Sequence, residues 1–223
     1  MNIVFVLFSN LTQLDFTGPL QVLSRLPGAS VHLAAKTMDP VSTDAVLTIN
    51  PTCTFADCPS ADVICIPGGF GVEEAIADEA LIEFVKAQCK RAKYVTSVCT
   101  GSFVLGAAGL LKGKRATTHW AYHDALTEVG AVPVKARVVR DGNLFTGGGV
   151  TAGIDFAFML AAEIAGEDFA KGLQLGLEYD PAPPFESGSP EKAVPETLDR
   201  MAAFYGARGK KFHEALAAAI EDR

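Results

Sequence analysis

Cys99 lies in the segment VTSVCTGSFVLGAAGLL, residues 95–111, where a β-branched run gives way to a stretch rich in Gly and Ala. A cysteine at such a strand-to-helix junction has the pattern of a nucleophile elbow. The side chain projects above the sheet edge, and Gly101 and Ser102 are small enough to let the helix pack close to the strand. Amides at the start of that helix carry positive potential, which favours thiolate over thiol and predicts a lowered pKa for Cys99. The opposing reading is a small buried hydrophobe, the usual fate of a free cysteine. The other four cysteines have plainer settings. Cys65 falls in an apolar run and Cys89 in a helical one. Cys53 and Cys58 flank Phe55 without the nearby histidine or further cysteine that would complete a tetrahedral metal site.

Three further features offer partners for a nucleophile. Pro67-Gly68-Gly69-Phe70-Gly71 follows an apolar run, and its glycines permit unusual backbone angles and close approach to a ligand. Amides in that turn suit an oxyanion hole, or the turn is structural only. It fits no phosphate-loop or dinucleotide fingerprint. Asp15, in LDFTGP, follows the first apolar run and reaches the same sheet edge. It serves either as general acid or base, or, like Thr17, as a cap of the next helix. His119, in TTHW, is the histidine best placed to approach the site, with His123 one turn on. A base for Cys99 and a hydrogen-bonded structural residue are both open readings.

The elements that position these groups read as alternating strands and helices. Ile3–Phe8 is a buried strand, and Gly18-Pro19 opens a helix carrying Leu20, Leu23 and Leu26. Strands are expected at 31–35, 46–49, 62–67 and 94–98, with helices at 78–91 and 102–111. Residues 137–140 and 144–146 flank a hairpin turn, Asp141-Gly142-Asn143, and 151–165 returns to helix. This alternation predicts an α/β fold with a mostly parallel sheet covered on both faces, and a ligand site beyond the strands' carboxyl ends. Residues 180–190, DPAPPFESGSP, read as an ordered surface loop in preference to a flexible linker. Residues 197–220 read as helix broken near Gly206 to Gly209, either capping the domain or pairing with another subunit.

Bulk properties narrow the class. The 223 residues are 49% hydrophobic and 20% charged with a formal net charge of −7, which suits one folded unit of acidic surface and argues against a nucleic-acid footprint. The small basic cluster Lys112, Lys114 and Arg115 reads as a solvated turn. Met1-Asn2 runs straight into apolar residues with no basic leader, no run reaches transmembrane length, and five cysteines form no disulfide framework. The expectation is a cytoplasmic protein in a reducing compartment, with no membrane partner.

Taken together, Cys99-Thr100-Gly101, the PGGFG turn, Asp15, ATTHW at 116–120 and GGGVTAGID at 147–155 resemble the ThiJ/PfpI branch of the class I glutamine amidotransferase-like superfamily along nearly the whole chain. The resemblance is greatest to members that hydrate isonitriles. It implies a flavodoxin-like three-layer sandwich, a single domain over 1–223 with a helical extension from about 191, a homodimer, and neither cofactor nor metal. The implied reaction turns an isonitrile into an N-substituted formamide through a cysteine thioimidate. Cys99 would be the nucleophile and Asp15 the catalytic carboxylate. Thr100, Gly148 and Val150 would line the pocket, and Gly69 and Phe70 would contact substrate. Many relatives carry a histidine directly after the nucleophile and an early glutamate. Thr100 and Asp15 stand there instead, which puts a Cys-His amidase pairing in doubt and suits a hydratase, whose substrate has no leaving amine to protonate. Two alternatives follow from the same resemblance. One is a ligand-sensing domain like that of AraC-type regulators, although their DNA-binding part needs ~100 residues and a basic recognition helix, which the tail after Pro190 does not supply. The other is a cysteine-dependent protein of carbonyl or oxidative stress.

Overall fold

The computed structural model describes residues 1–221. The strands in chain order are β1 (Asn2–Val6), β2 (Ser30–Ala35), β3 (Val41–Ser42), β4 (Thr48–Ile49), β5 (Cys53–Thr54), β6 (Val63–Ile66), β7 (Tyr94–Val98), β8 (Arg115–Ala116), β9 (Val132–Pro133), β10 (Val138–Asp141) and β11 (Leu144–Gly147). The helices are α1 (Gln13–Leu23), α2 (Val72–Ala77), α3 (Glu79–Cys89), α4 (Ser102–Ala107), α5 (Ala152–Ala165), α6 (Glu167–Gly176) and α7 (Pro195–Glu221). Seven strands make one sheet in the order β10-β11-β7-β6-β1-β2-β5, parallel throughout except for the β10–β11 hairpin. β3–β4 and β8–β9 are separate small ribbons.

Apolar runs without alternation make the central strands because both sheet faces are covered. Val63–Ile66 is buried at every position, as is β1 beyond its first residue. On one face, α1 packs against α5, which also touches α6. On the other lie α2, α3 and α4, with α7 laid over α2 and α4. The result is the three-layer, flavodoxin-like arrangement. In register, Phe5 stands beside Cys65 and Cys65 beside Thr96, so β1, β6 and β7 end at one level and the loops that follow them converge.

Several boundaries differ from the sequence expectation. α1 begins at Gln13, five residues before the expected opening at Gly18, so Pro19 lies inside it. The lost amide bond is tolerated because the site gains close packing: a methyl on Gly18 would sit 3.1 Å from Ile154, and one on Gly153 would sit 3.1 Å from Pro19. The helix expected to reach Leu111 ends at Ala107, since Gly109 adopts a φ of +75°. Of residues 46–49 only Thr48–Ile49 pairs, and Val46 is fully exposed. α7 runs unbroken through Gly206 and Gly209, because its Phe212, Leu216 and Ala219 are buried against the domain and packing outweighs the weak helix propensity of glycine. The 180–190 loop lies on the surface with Phe185 77% exposed.

Candidate active site

Cys99 follows β7 directly, and its backbone φ is +55°, a left-handed conformation that costs a non-glycine residue ~1–3 kcal/mol and persists only where neighbours over-determine it. They do so here. The Cys99 N–H donates to Gly148 O at 2.9 Å, while its carbonyl accepts from Thr118 Oγ1 at 2.8 Å and Ser102 Oγ at 3.3 Å. Gly101 supplies the close approach: a methyl there would lie 2.4 Å from Ile66 O. The elbow is therefore held from the residue that follows β11, from the 116–120 segment and from its own first helical turn.

Asp15 reaches this elbow from α1, and it caps nothing. The residue before α1, Thr12, makes no side-chain cap, and Thr17 bonds back to Gln13 O at 3.0 Å. It is Asp44 that accepts the Gln13 N–H, at 3.0 Å. The capping alternative for Asp15 and Thr17 is thus overturned, because the helix starts upstream of both. Asp15 is 1% exposed, its Oδ2 accepts the Gly68 N–H at 2.9 Å, and its Oδ1 has no partner among the described residues. Burial raises its pKa to about 8, against the smaller opposing pulls of the Gly68 amide and the Cys99 thiol. At neutral pH Asp15 holds its proton.

The expected lowering of the Cys99 pKa is not found. Burial first, and then the Asp15 charge, push the thiol well above its ordinary range, and the Thr100 amide and hydroxyl pull back only in part. α4 is six residues long and begins after a single tight turn, so its end field is weak against full desolvation. Thiol and carboxyl sit together, both neutral at rest.

Glycines of the second motif frame the pair. Gly69 has a φ of +127°, its N–H donates to Thr100 Oγ1 at 3.0 Å, and Thr100 Oγ1 donates back to Gly69 O at 3.2 Å. A side chain on Gly68 would collide with Thr100 and with Asp15 Oδ2. The Gly68 and Gly69 amides are spent on Asp15 and Thr100, so neither of these two is a free oxyanion-hole donor.

Cys99, Thr100, Gly69, Phe70 and Val150 line one cavity of about 150 Å³. Gly148 does not; it holds the elbow through its carbonyl and borders a neighbouring groove of about 540 Å³ that contains neither Cys99 nor Asp15. His119 lines both spaces. Burial lowers its pKa to about 4, and its Nδ1 accepts the Ala121 N–H at 3.3 Å, so it is a neutral wall and not a base poised at neutral pH. His123 does not line the Cys99 cavity. Sequence reasoning missed Thr118 and the aromatic wall of Tyr122, Tyr205 and Phe212. Thr118 was visible only as part of a quoted segment, and Tyr205 and Phe212 lie more than 100 positions from Cys99, with only their seven-residue spacing on a helical stripe to mark them. Among the described residues no group of three or more His, Cys, Asp or Glu side chains is arranged to hold a metal, and no helix is long and apolar enough to cross a membrane.

Comparison with known proteins adds independent similarity. The DJ-1/PfpI family model matches residues 1–163. A Pseudomonas putida protein named isonitrile hydratase is 60% identical over 199 residues, 89% of this chain and 87% of that one. The transcriptional regulator GbdR of Pseudomonas aeruginosa is 29% identical over 189 residues, 80% of this chain but 51% of its own length. Among solved structures, a ThiJ/PfpI family protein from Pseudomonas syringae superposes with a TM-score of 0.94 at 43% identity, covering 96% of this chain and 90% of that one. Drosophila melanogaster DJ-1beta superposes at 0.70 with 26% identity, covering 79% and 98%.

Proposed function

The chain belongs to the DJ-1/PfpI family, and from that premise we propose that it is an isonitrile hydratase in which Cys99 is the nucleophile and Asp15 the acid and base. The observation that carries the reading is a buried, proton-bearing carboxyl paired with the thiol of Cys99, which lines one small cavity, in a chain 60% identical to a protein of that name.

The isonitrile's terminal carbon takes both the sulfur and a proton. Protonated Asp15 gives its proton to that carbon as sulfur adds, and the thiol proton passes to the carboxylate, so R–NC and Cys99–SH become the thioimidate R–N=CH–S–Cys99. Water held by Asp15 and Thr100 then adds to the carbon while nitrogen gains a proton. Collapse of the R–NH–CH(OH)–S adduct breaks the C–S bond, returns a proton to sulfur through Asp15 and releases R–NH–CHO. No leaving amine is expelled, which accords with the neutral His119 and with Thr100 in place of histidine.

The sensor reading is not favoured: the regulator's similarity is 29% against 60% for the hydratase. Formamide production by the wild-type chain and by Cys99→Ala tests the proposal. Turnover lost by at least ~10³-fold in the variant is expected for a nucleophile, and equal turnover in both would remove Cys99 from the reaction.

We read residues 1–223 as one functional unit, on the ground that Tyr205 and Phe212 of α7 line the cavity at Cys99. A homodimer is supported by family resemblance and by exposed apolar side chains such as Leu175 and Phe185; sedimentation equilibrium at the mass of one chain would reject it. The five free cysteines suit the cytoplasm, and the same chain directed to an oxidising compartment should then lose titratable thiols.

A further inference from the structure

The residue shared by the Cys99 cavity and the smaller of its two neighbouring spaces is Tyr205. It lines the Cys99 cavity of about 150 Å³ and also a second hollow of about 210 Å³ that is walled by Trp120, Pro190, Leu198 and Met201 and includes no residue of the Cys99-Asp15 pair. Its ring is fixed by aromatic neighbours, with centroids 4.8 Å from His119, 5.6 Å from Trp120 and 6.0 Å from Tyr122. Two turns further along α7, Phe212 packs at 4.8 Å on both Phe103 and Tyr122 and anchors the helix. Arg208, between them, covers Phe70 from outside at 4.0 Å.

A mostly apolar space of ~150 Å³ is the size that accepts a benzene ring. The walls are aromatic faces and edges, which favour a flat or compact apolar group. The two acidic side chains at this cavity, Asp44 and Glu73, are partly committed, Asp44 to the Gln13 amide and Glu73 to Lys211 at 3.1 Å. They still oppose an anionic substituent near an already buried carboxyl.

Resting on the hydratase reading, we propose that α7 is the specificity element and that Tyr205 sets the size limit, so that the enzyme prefers isonitriles bearing one uncharged ring or a group of similar bulk. Removing the Tyr205 ring joins the two hollows and admits a second fused ring.

The test compares phenyl and 2-naphthyl isonitrile. Wild-type kcat/KM is expected to favour phenyl. Tyr205→Ala should raise the naphthyl-to-phenyl ratio by about tenfold or more, the scale of a few added apolar carbons in a pocket, whereas Tyr205→Phe, which keeps the ring, should retain the wild-type ratio. Tyr205→Leu gives the same reading with less packing lost if the alanine variant does not fold. An unchanged ratio in the alanine and leucine variants, or the same change in Tyr205→Phe, overturns the inference. Failure of the wild type to hydrate either isonitrile is a failure of the hydratase reading instead. In that event calorimetric binding of N-phenylformamide and N-(2-naphthyl)formamide still reads the size limit: a preference for phenyl that Tyr205→Ala abolishes supports it, and no preference overturns it.

Discussion

At Asp15, burial turns an ordinary carboxylate into a group that carries a proton at neutral pH. Its folded pKa of about 8 against an ordinary 3.8 has two consequences. In its proposed role as acid it is competent below about pH 8, so kcat/KM is expected to fall as pH rises through that value. Asp15→Asn should lower turnover by ~10²–10⁴ and remove that limb from the pH profile; full turnover in the variant would exclude the residue from the mechanism. The second consequence is thermodynamic. Between the two values the folded chain holds a proton that the unfolded chain releases, so stability declines as pH rises through this window, by at most ~1.4 kcal/mol per unit. Thermal melts across pH should show the slope flattened in Asp15→Asn. Of the residues involved, Cys99 was legible because a strand-to-helix junction with small neighbours is a local pattern. The direction of its pKa was not, because desolvation depends on everything packed around it.

The elements show where local rules were outweighed. Pro19 inside α1 and the glycines inside α7 both break helix preferences. The first has a packing reason in its contact with Gly153 on α5. Gly206 and Gly209 have none visible, for a methyl on either would meet nothing within 4 Å, and neither takes a positive φ. Gly206→Ala and Gly209→Ala should therefore each stabilise the chain by ~0.4–1 kcal/mol, read as a rise in the denaturation midpoint. A fall in either midpoint would mean that the backbone there needs a freedom this conformation does not use. Strand β7 and the hairpin β10–β11 were readable because their apolar and turn residues are contiguous. The start of α1 was not, since its capping group, Asp44, comes from a distant loop.

Across the whole molecule, β1, β6 and β7 end together and deliver Asp15, the Gly68-Gly69 turn and Cys99 to a single crevice, the place where parallel α/β sheets bind ligands. α7 closes that crevice from beyond the residues matched by the family model. Its anchor is Phe212, 2% exposed and wedged against Phe103 and Tyr122. Phe212→Ala is expected to cost ~3–5 kcal/mol and to shift one cooperative melting transition as a unit. Two separated transitions would show that α7 unfolds on its own and would break the link between helix and site.

What the sequence by itself determined was whatever rests on neighbours in the chain. The alternation of apolar runs and helices, the strand-to-helix turn at Cys99, and the motifs that carry the family resemblance are all of this kind. What only the tertiary structure decided rests on groups brought together from far apart. Asp15 meets Cys99 and Gly68 in place of capping a helix. Gly148 and Thr118 hold a strained turn from other elements, and α7 supplies a cavity wall more than 100 residues from Cys99. Those outcomes depend on burial and on hydrogen bonds whose partners are not adjacent in the chain, and burial is a property of the folded whole.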